Sequence, residues 1–145
     1  DGLPTYLLKK SIHIINQELS NILTDVDFNL YFDEELTLKL AHDIKIEASQ
    51  NAIESSGMER TFSAIALKMA LRKINNKSKP NFIMLDEIML KLLNASVDKF
   101  IVLLDNIKNQ VDKLVIIEHI HPINYDVLIE VVKDELGIST LKIEE

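Results

Sequence analysis

Two short apolar runs, separated by one helical segment, restrict the fold of this chain more than any other feature. The first run extends from Phe82 to Leu85, and the second extends from Leu114 to Ile117. Between them, apolar residues recur on one helical face from Val97 to Ile107. A strand, a helix and a strand in this order form a βαβ unit, in which the two strands run parallel. We therefore predict an α/β fold around two buried parallel strands that are covered by helices.

Charged side chains directly follow both predicted strands. Asp86 and Glu87 follow the first strand, and Glu118 and His119 follow the second. Ligands of open α/β sheets bind outside the carboxyl ends of the strands, so this edge is suited to chemistry. Asp86 can hold Mg²⁺ directly or through water, and Glu87 can orient and deprotonate a water molecule. The alternative is that these acids only end a strand at a surface loop.

Histidine adds one further candidate at this edge. We expect the ring of His119 to emerge on the same edge of the sheet as Glu87. His121 could share a face with His119 in an extended strand and bind a metal with it. No thiol or third histidine stands nearby, so a structural role for His121 is the preferred interpretation. His13 and His42 have no partner at a ligand spacing, and we interpret both as surface or packing residues.

The run from Ser55 to Thr61, which reads SSGMERT, begins an apolar helical segment that continues to Ile74. The free N–H groups of a first helical turn can hold a phosphate, and Ser56 adds a hydroxyl group. The alternative is a capping box, in which Ser56 caps the helix and Glu59 bonds back to it. From the residues alone, capping is the preferred interpretation. The mostly apolar circumference predicts that this helix is largely buried.

Two further helical features are predicted. Apolar residues between Leu8 and Ile22 recur at spacings of three and four, after Pro4 at the expected helix start. This stripe fits either an amphipathic helix packed on the domain or the end of a coiled coil. Asn94 or Ser96 can cap the helix between the two buried strands, after a surface loop from Asn75 to Pro80.

Alternating apolar and polar residues predict three antiparallel regions. The stretches from Phe28 to Phe32 and from Leu36 to Leu40 are expected to form a strand pair. Ile44 to Glu47 can add a third strand, followed by a loop from Ala48 to Ser55. Alternation from Val127 to Ile143 predicts a terminal β-hairpin with its turn at Glu135-Leu136-Gly137.

Composition excludes several kinds of chemistry. The 145 residues contain no cysteine, which removes disulfides, thiolate metal sites and thiol nucleophiles. A hydrophobic fraction of 47% is sufficient for a single domain over residues 1–145. The formal charge of −7 provides no field for a phosphate backbone. The sequence has no membrane-spanning run and no signal pattern, so we expect a cytoplasmic protein with no membrane partner. Because the first residue is Asp1 and not methionine, we also expect the chain to be a fragment or a processed product.

Taken in order, these motifs resemble a known family. The run from Ser56 to Glu59 is similar to the ABC-type ATPase signature, usually Ser-Gly-Gly-Glu or Ser-Gly-Gly-Gln. The strand before Asp86 and Glu87 resembles a Walker B strand, and the strand before His119 resembles the switch loop. The chain therefore resembles the C-terminal lobe of an ATPase head from the SMC, SbcC and Rad-fifty family, most of all the recombination-endonuclease subunits of bacteriophages. Residues 3–24 resemble the base of that family's coiled-coil arm.

The resemblance implies a role for each motif. ATP and Mg²⁺ are the implied cofactors, with Asp86 as the metal ligand. Glu87 is implied as the catalytic base, and His119 as a second catalytic residue at the γ-phosphate and the water. The implied nucleotide-binding residues, which act on the opposite head, are Ser56, Gly57, Met58 and Glu59.

Three residues depart from the family pattern. Met58 stands where the family usually has a second glycine, which restricts close approach to a phosphate. Ile88 replaces the common proline after Asp-Glu. Asn94 follows Leu93 where the D-loop usually reads Leu-Asp. We expect slow or differently regulated ATP turnover from these changes.

The resemblance also implies partners. No Gly-x-x-x-x-Gly-Lys-Ser/Thr occurs, so an N-terminal lobe with the Walker A phosphate loop is expected to complete the head. A second head would form an ATP-dependent dimer, and a nuclease subunit would use ATP binding to control access to DNA. DNA is expected to bind only through the complete complex, in the host cytoplasm if the protein is encoded by a phage. Two alternatives remain, namely an SMC-like chromosome-organising head and a non-catalytic docking module with remnant ATPase motifs.

Overall fold

The computed structural model describes residues 2–42, 49–75, 81–92, 94–119 and 123–144. Its helices are α1 (Leu3–Ile22), α2 (Gly57–Ile74) and α3 (Asn94–Lys108). Its strands are β1 (Asn29–Phe32), β2 (Leu38–Ala41), β3 (Gln50–Asn51), β4 (Phe82–Asp86), β5 (Lys113–Ile117), β6 (Leu128–Lys133) and β7 (Ser139–Glu144). Short 3₁₀ turns occupy Ala52–Glu54 and Ile88–Lys91. The mixed α/β class is therefore confirmed.

Strands β4 and β5 form the predicted parallel pair, with α3 as the crossover between them. Their register runs from Phe82 opposite Lys113 to Asp86 opposite Ile117. One face packs against the core through half-buried or buried residues, which are Ile83, Leu85, Leu114 and Ile116. In the described part of the chain, the expectation of buried strands covered by helices holds for this face only. The other face is exposed through Phe82, Met84, Val115 and Ile117.

The predicted antiparallel pair is confirmed as β1 and β2, with Phe32 opposite Leu38. The second strand begins later than expected because Leu36 has a φ of 66° and belongs to the turn. In that turn, Asp33 Oδ1 accepts hydrogen bonds from the amides of Glu35 and Thr37. The predicted strand from Ile44 to Glu47 lies outside the described residues. Within the predicted loop from Ala48 to Ser55, β3 pairs with β2 and is followed by a 3₁₀ turn.

The core lies between the helices and the first sheet. Helix α1 buries Ile15, Leu19 and Ile22, which confirms that this part of its stripe packs on the domain. Farther toward its start, Tyr6 and Leu7 are exposed. Aromatic rings join the residue before β1 to α2 and α3, since Phe28 and Phe100 both pack against Phe62 at centroid distances of 6.3 and 5.4 Å. The predicted burial of α2 is confirmed along one broad face, made of Glu59, Phe62, Ser63, Ile65, Ala66, Met69 and Ala70.

The terminal hairpin is confirmed as β6 and β7, with Ile129 opposite Ile143 and a turn at Gly137. Lys108 at the end of α3 lies 2.8 Å from Asp126, just before β6. A hydrogen bond from this ammonium to the Asp126 carboxylate, and the charge of that carboxylate, raise the pKa of Lys108 above its ordinary 10.5. Among the described helices, none has both the length and the apolar content that a membrane crossing requires.

Candidate functional site

The carboxyl edge of the parallel sheet carries the first group of candidate residues. Asp86 is the last residue of β4 and is exposed, and Glu87 extends the ladder because its N–H bonds to the carbonyl of Ile117 at 3.0 Å. The chain turns sharply at Glu87, which has a φ of 47° and a ψ of 31° in the left-handed region. This turn projects the Glu87 side chain from the edge of the sheet, where it is 51% exposed.

His119 lies beside Glu87, as the sequence predicted. Its Nε2 is 3.1 Å from Glu87 Oε1, within hydrogen-bond distance. The backbone N–H of His119 also donates to the carboxylate of Glu118 at 3.0 Å, which holds the start of this loop. The two strand ends therefore bring an acid and an imidazole into contact, although 32 positions separate them in the sequence.

The possible metal ligands at this edge are the carboxylates of Asp86 and Glu87 and the imidazole of His119. Among the described residues, no group of three or more histidine and acidic side chains could hold a metal alone. His121 is not among the described residues, so neither its preferred structural role nor the alternative metal site with His119 falls within them. Mg²⁺ commonly uses one or two carboxylates and takes its other ligands from phosphates and water. The exposed carboxylate of Asp86, next to Glu87, fits that mode of binding.

The start of α2 carries the second group, and here the capping box is confirmed. Ser56 is the N-cap, and its Oγ accepts from the Glu59 N–H at 3.4 Å. In return, Glu59 Oε2 accepts from the Ser56 N–H at 2.7 Å. Ser55 is buried and donates its hydroxyl hydrogen to the carbonyl of Ala52 at 2.6 Å. These bonds fix the chain on both sides of Ser56.

The four signature-like residues differ in their exposure to solvent. Ser56 and Gly57 are exposed, and a side chain placed at Gly57 would meet nothing within 4 Å. Met58 packs against the core, so the residue that replaces the family's second glycine turns its side chain inward. Glu59 is only 6% exposed, and its carboxylate bonds within the protein. The open surface of this segment is therefore made by Ser56 and Gly57.

The carboxylate of Glu59 has a second partner that the sequence did not predict. His42 Nε2 lies 2.8 Å from Glu59 Oε1, although His42 was interpreted as a surface or packing residue. A sequence signal for some partner was present, because Glu59 shares the buried face of α2 with Phe62 and Ser63 at helical spacing. A buried carboxylate needs a hydrogen-bonding partner. Its identity depended on how the first sheet packs against α2.

The start of α3 and the two remaining departures from the family pattern lie close to the first group of candidate residues in the sequence. Helix α3 begins at Asn94, so Asn94 and Ser96 both lie within the helix, and the expectation that one of them is its N-cap is wrong. The D-loop comparison at Leu93 and Asn94 falls largely outside what the structure describes, since Leu93 is not among the described residues. Ile88, in place of the family's proline, is half-buried against the core at the start of a 3₁₀ turn.

Comparison with known proteins gives a fold but no family assignment. No family model matches the chain. An uncharacterised protein, R555 of Acanthamoeba polyphaga mimivirus, is 26% identical over 138 residues, which cover 83% of this chain. The chain spans about a tenth of the length of that viral protein, since the match covers 10% of it.

Solved SMC ATPase heads share the fold. A structure from work on ATP-driven dimerisation and DNA-stimulated activation of SMC ATPases has a TM-score of 0.73 and 17% identity, covering 97% of this chain and 89% of its own. The SMC head domain of Thermotoga maritima has a TM-score of 0.63 and 19% identity, covering 98% and 50%. A Pyrococcus furiosus Smc head bound to the C-terminal domain of ScpA has a TM-score of 0.66 and 17% identity, covering 97% and 37%. The α/β architecture is therefore that of SMC ATPase heads.

Proposed function

We propose that this chain is the C-terminal lobe of an ATP-hydrolysing head of the SMC, SbcC and Rad-fifty type. The observation that carries the proposal is the contact of Glu87 with His119 beside Asp86, at the carboxyl edge of two parallel strands. This is the edge at which open α/β sheets bind ligands. The SMC-head fold supports the same assignment.

The proposed chemistry is transfer of a phosphoryl group to water. Mg²⁺, bound together with ATP, would neutralise charge on the phosphates, and Asp86 would hold it. Glu87 orients the attacking water and accepts its proton. Only Oε1 of Glu87 bonds to His119, and Oε2 makes no hydrogen bond to another described residue. Glu87 therefore keeps one oxygen available for water while His119 holds the other.

Head dimerisation is the second part of the proposal. Ser56 and Gly57 form an open surface at the start of α2, where N–H groups of the first turn that the capping box does not use can meet a phosphate. We assign this surface to nucleotide bound on a second head, with Met58 and Glu59 supporting it from within. The inward position of Met58 favours this assignment, because its side chain leaves the surface beside Gly57 open.

The exposed face of the β4–β5 sheet supports an additional lobe. Parallel sheets are normally covered on both faces, and here Phe82 and Met84 remain 50% and 58% exposed. We assign this face to the lobe that carries the Walker A motif. Two matched SMC heads, in which this chain covers 50% and 37% of the length, are correspondingly larger.

For the whole protein, we propose coupling of ATP binding to a partner nuclease in DNA repair or recombination, with DNA bound through the complete complex. The motifs from Ser56 to His119 support this role by their resemblance to phage recombination-endonuclease subunits. The second candidate is an SMC-like chromosome-organising head. It is favoured by the structural neighbours, which are SMC heads and include heads bound to ScpA. ATP-dependent degradation of linear DNA by the purified whole complex separates the two, because a chromosome-organising head binds DNA without degrading it.

The ATPase proposal is tested with Glu87→Gln and Asp86→Asn in a head formed by this chain and the Walker A lobe. Glu87→Gln should leave the affinity for Mg-ATP unchanged. It should lower the rate of single-turnover hydrolysis by a factor of about 10²–10⁴, which is the usual contribution of a general base. Asp86→Asn should also weaken nucleotide binding in the presence of Mg²⁺, because it removes a metal ligand.

Asp112→Asn is the matched control, because Asp112 is an exposed acid at the opposite end of β5. It should hydrolyse ATP at the parent rate. Hydrolysis by Glu87→Gln at nearly the parent rate would show that Glu87 is not the base. A parent head that binds no nucleotide would instead favour the non-catalytic docking module.

A further inference from the structure

Glu59 is held by two separate parts of the protein. Its side chain is 8% exposed, and each carboxylate oxygen has its own partner. Oε2 accepts from the Ser56 N–H at 2.7 Å, and Oε1 lies 2.8 Å from His42 Nε2. A capping box needs only the first of these contacts. The second contact connects α2 to the antiparallel sheet.

His42 is well placed to act as a fixed support. It follows β2, the central strand of its sheet, which is paired with β1 on one side and β3 on the other. The two residues before it, Leu40 and Ala41, are buried. Its ring meets Phe28 edge-on, with centroids 6.4 Å apart and planes at 69°. The backbone of His42 therefore continues a buried strand, while its ring, 59% exposed, rests with one edge contact on buried Phe28.

We propose that His42 is a positioning residue for Ser56, acting through Glu59. The inference rests on the proposed function in one respect, which is the assignment of Ser56 to nucleotide on a second head. The chain of contacts runs from β2 through the His42 ring and the Glu59 carboxylate to the Ser56 N–H. It fixes the angle at which Ser56 and Gly57 face outward. A capping box alone leaves the Glu59 side chain with one hydrogen-bonding partner.

The contact with a carboxylate oxygen requires a proton on Nε2 of His42, since the oxygen can only accept. This requirement allows a paired test with two neutral amides. Glutamine places its amide N–H at the end of a longer side chain, where it can replace Nε2. Asparagine is one methylene shorter, so its amide falls short of Glu59. His42→Gln should therefore preserve the support, and His42→Asn should remove it.

The first measurement is amide proton exchange in this 145-residue chain, followed by NMR. In His42→Asn, we expect the Ser56 amide to exchange about tenfold faster, a factor that corresponds to a hydrogen bond of about 1.4 kcal/mol. In His42→Gln, it should exchange at the parent rate. His13→Asn on α1, also an exposed histidine, is the control and should leave Ser56 unchanged. Equal exchange at Ser56 in all of these variants would overturn the inference.

The second measurement is ATP-dependent dimerisation of the complete head, together with the nucleotide affinity of each head. His42→Asn should weaken dimerisation about tenfold and leave nucleotide affinity unchanged, because Ser56 acts only on the opposite head. His42→Gln should restore dimerisation, which a general loss of stability would not explain. Parental dimerisation in His42→Asn would contradict a positioning role. If the parent head failed to dimerise with ATP, the proposed function would fail, while the exchange measurement would still decide whether His42 holds Ser56.

Discussion

Glu87 combines a candidate catalytic side chain with an unfavourable backbone conformation. A residue with a side chain in the left-handed region costs about 1–2 kcal/mol relative to the right-handed helical region. Its φ is 47°, and its N–H bonds to the Ile117 carbonyl. Such conformations occur often at functional sites, where the surrounding structure holds them. Here the turn directs the side chain toward His119.

The first prediction concerns this backbone. Glu87→Gly should leave the free energy of unfolding within about 1 kcal/mol of the parent, because glycine adopts positive φ without a steric cost. Glu87→Val should lower it by about 1–3 kcal/mol, because a β-branched residue is strongly disfavoured there. Urea unfolding of both variants measures the difference. Asp112→Val, at a position without positive φ, is the control and should have a smaller effect. Equal stability of Glu87→Gly and Glu87→Val would argue against backbone strain at Glu87.

At the scale of elements, one side chain joins helix α1 to the edge of the first sheet. Strand β1 is an edge strand, so the N–H and carbonyl of Phe32 lack a neighbouring strand on one side. The amide of Asn16 takes that place. Its Nδ2 donates to the Phe32 carbonyl at 2.9 Å, and its Oδ1 accepts from the Phe32 N–H at 2.8 Å. Asparagine is suited to this position because its side chain both donates and accepts.

The second prediction is that Asn16→Leu lowers the free energy of unfolding by about 1–3 kcal/mol, because it removes the hydrogen-bonding partner of two half-buried backbone groups. The Phe32 amide should also exchange faster with solvent. Chemical denaturation and hydrogen exchange measure the two effects. Gln17→Leu, at the next and exposed position of α1, is the matched control and should stay near the parent. If both leucine variants were equally stable, the Asn16 contact would contribute nothing.

At the scale of the whole molecule, the described chain leaves one face of its parallel sheet open to solvent. The four side chains on that face are 39–58% exposed, and they are Phe82, Met84, Val115 and Ile117. The hairpin also presents Ile129, Val131, Leu141 and Ile143, which are 59–68% exposed. Contiguous apolar surface of this kind marks interaction sites or causes association.

The third prediction is that the chain alone self-associates through the open face of the β4–β5 sheet. Combining Met84→Lys with Val115→Lys should weaken this association about tenfold or more, since covering each side chain contributes on the order of 1 kcal/mol. Sedimentation velocity over a range of concentrations gives the result. A matched double variant of the hairpin, Val131→Lys with Leu141→Lys, serves as the comparison. Association that responds only to the hairpin variant would assign the contact to that surface.

The sequence by itself determined the order of the elements and the placement of the first group of candidate residues. The parallel pairing of β4 and β5, the capping box of Ser56 with Glu59 and the terminal hairpin all follow from residues close together in the chain. The meeting of Glu87 and His119 was also predictable, because the carboxyl ends of two parallel strands must lie at one edge. These features depend on local periodicity and on the rule that a βαβ unit places its two strands parallel, with their carboxyl ends at one edge.

Only the tertiary structure decided the contacts between distant elements. The pairing of His42 with Glu59 and of Asn16 with Phe32 depends on how a sheet packs against two helices, and no local spacing encodes it. The exposed face of the parallel sheet could not be predicted either, because an apolar strand has the same pattern whether one or both of its faces are covered within the chain. The positive φ of Glu87 accompanies the ladder bond to Ile117, and no glycine in the sequence marks that position. Local patterns therefore specified the elements, while packing selected the side chains that hold them together.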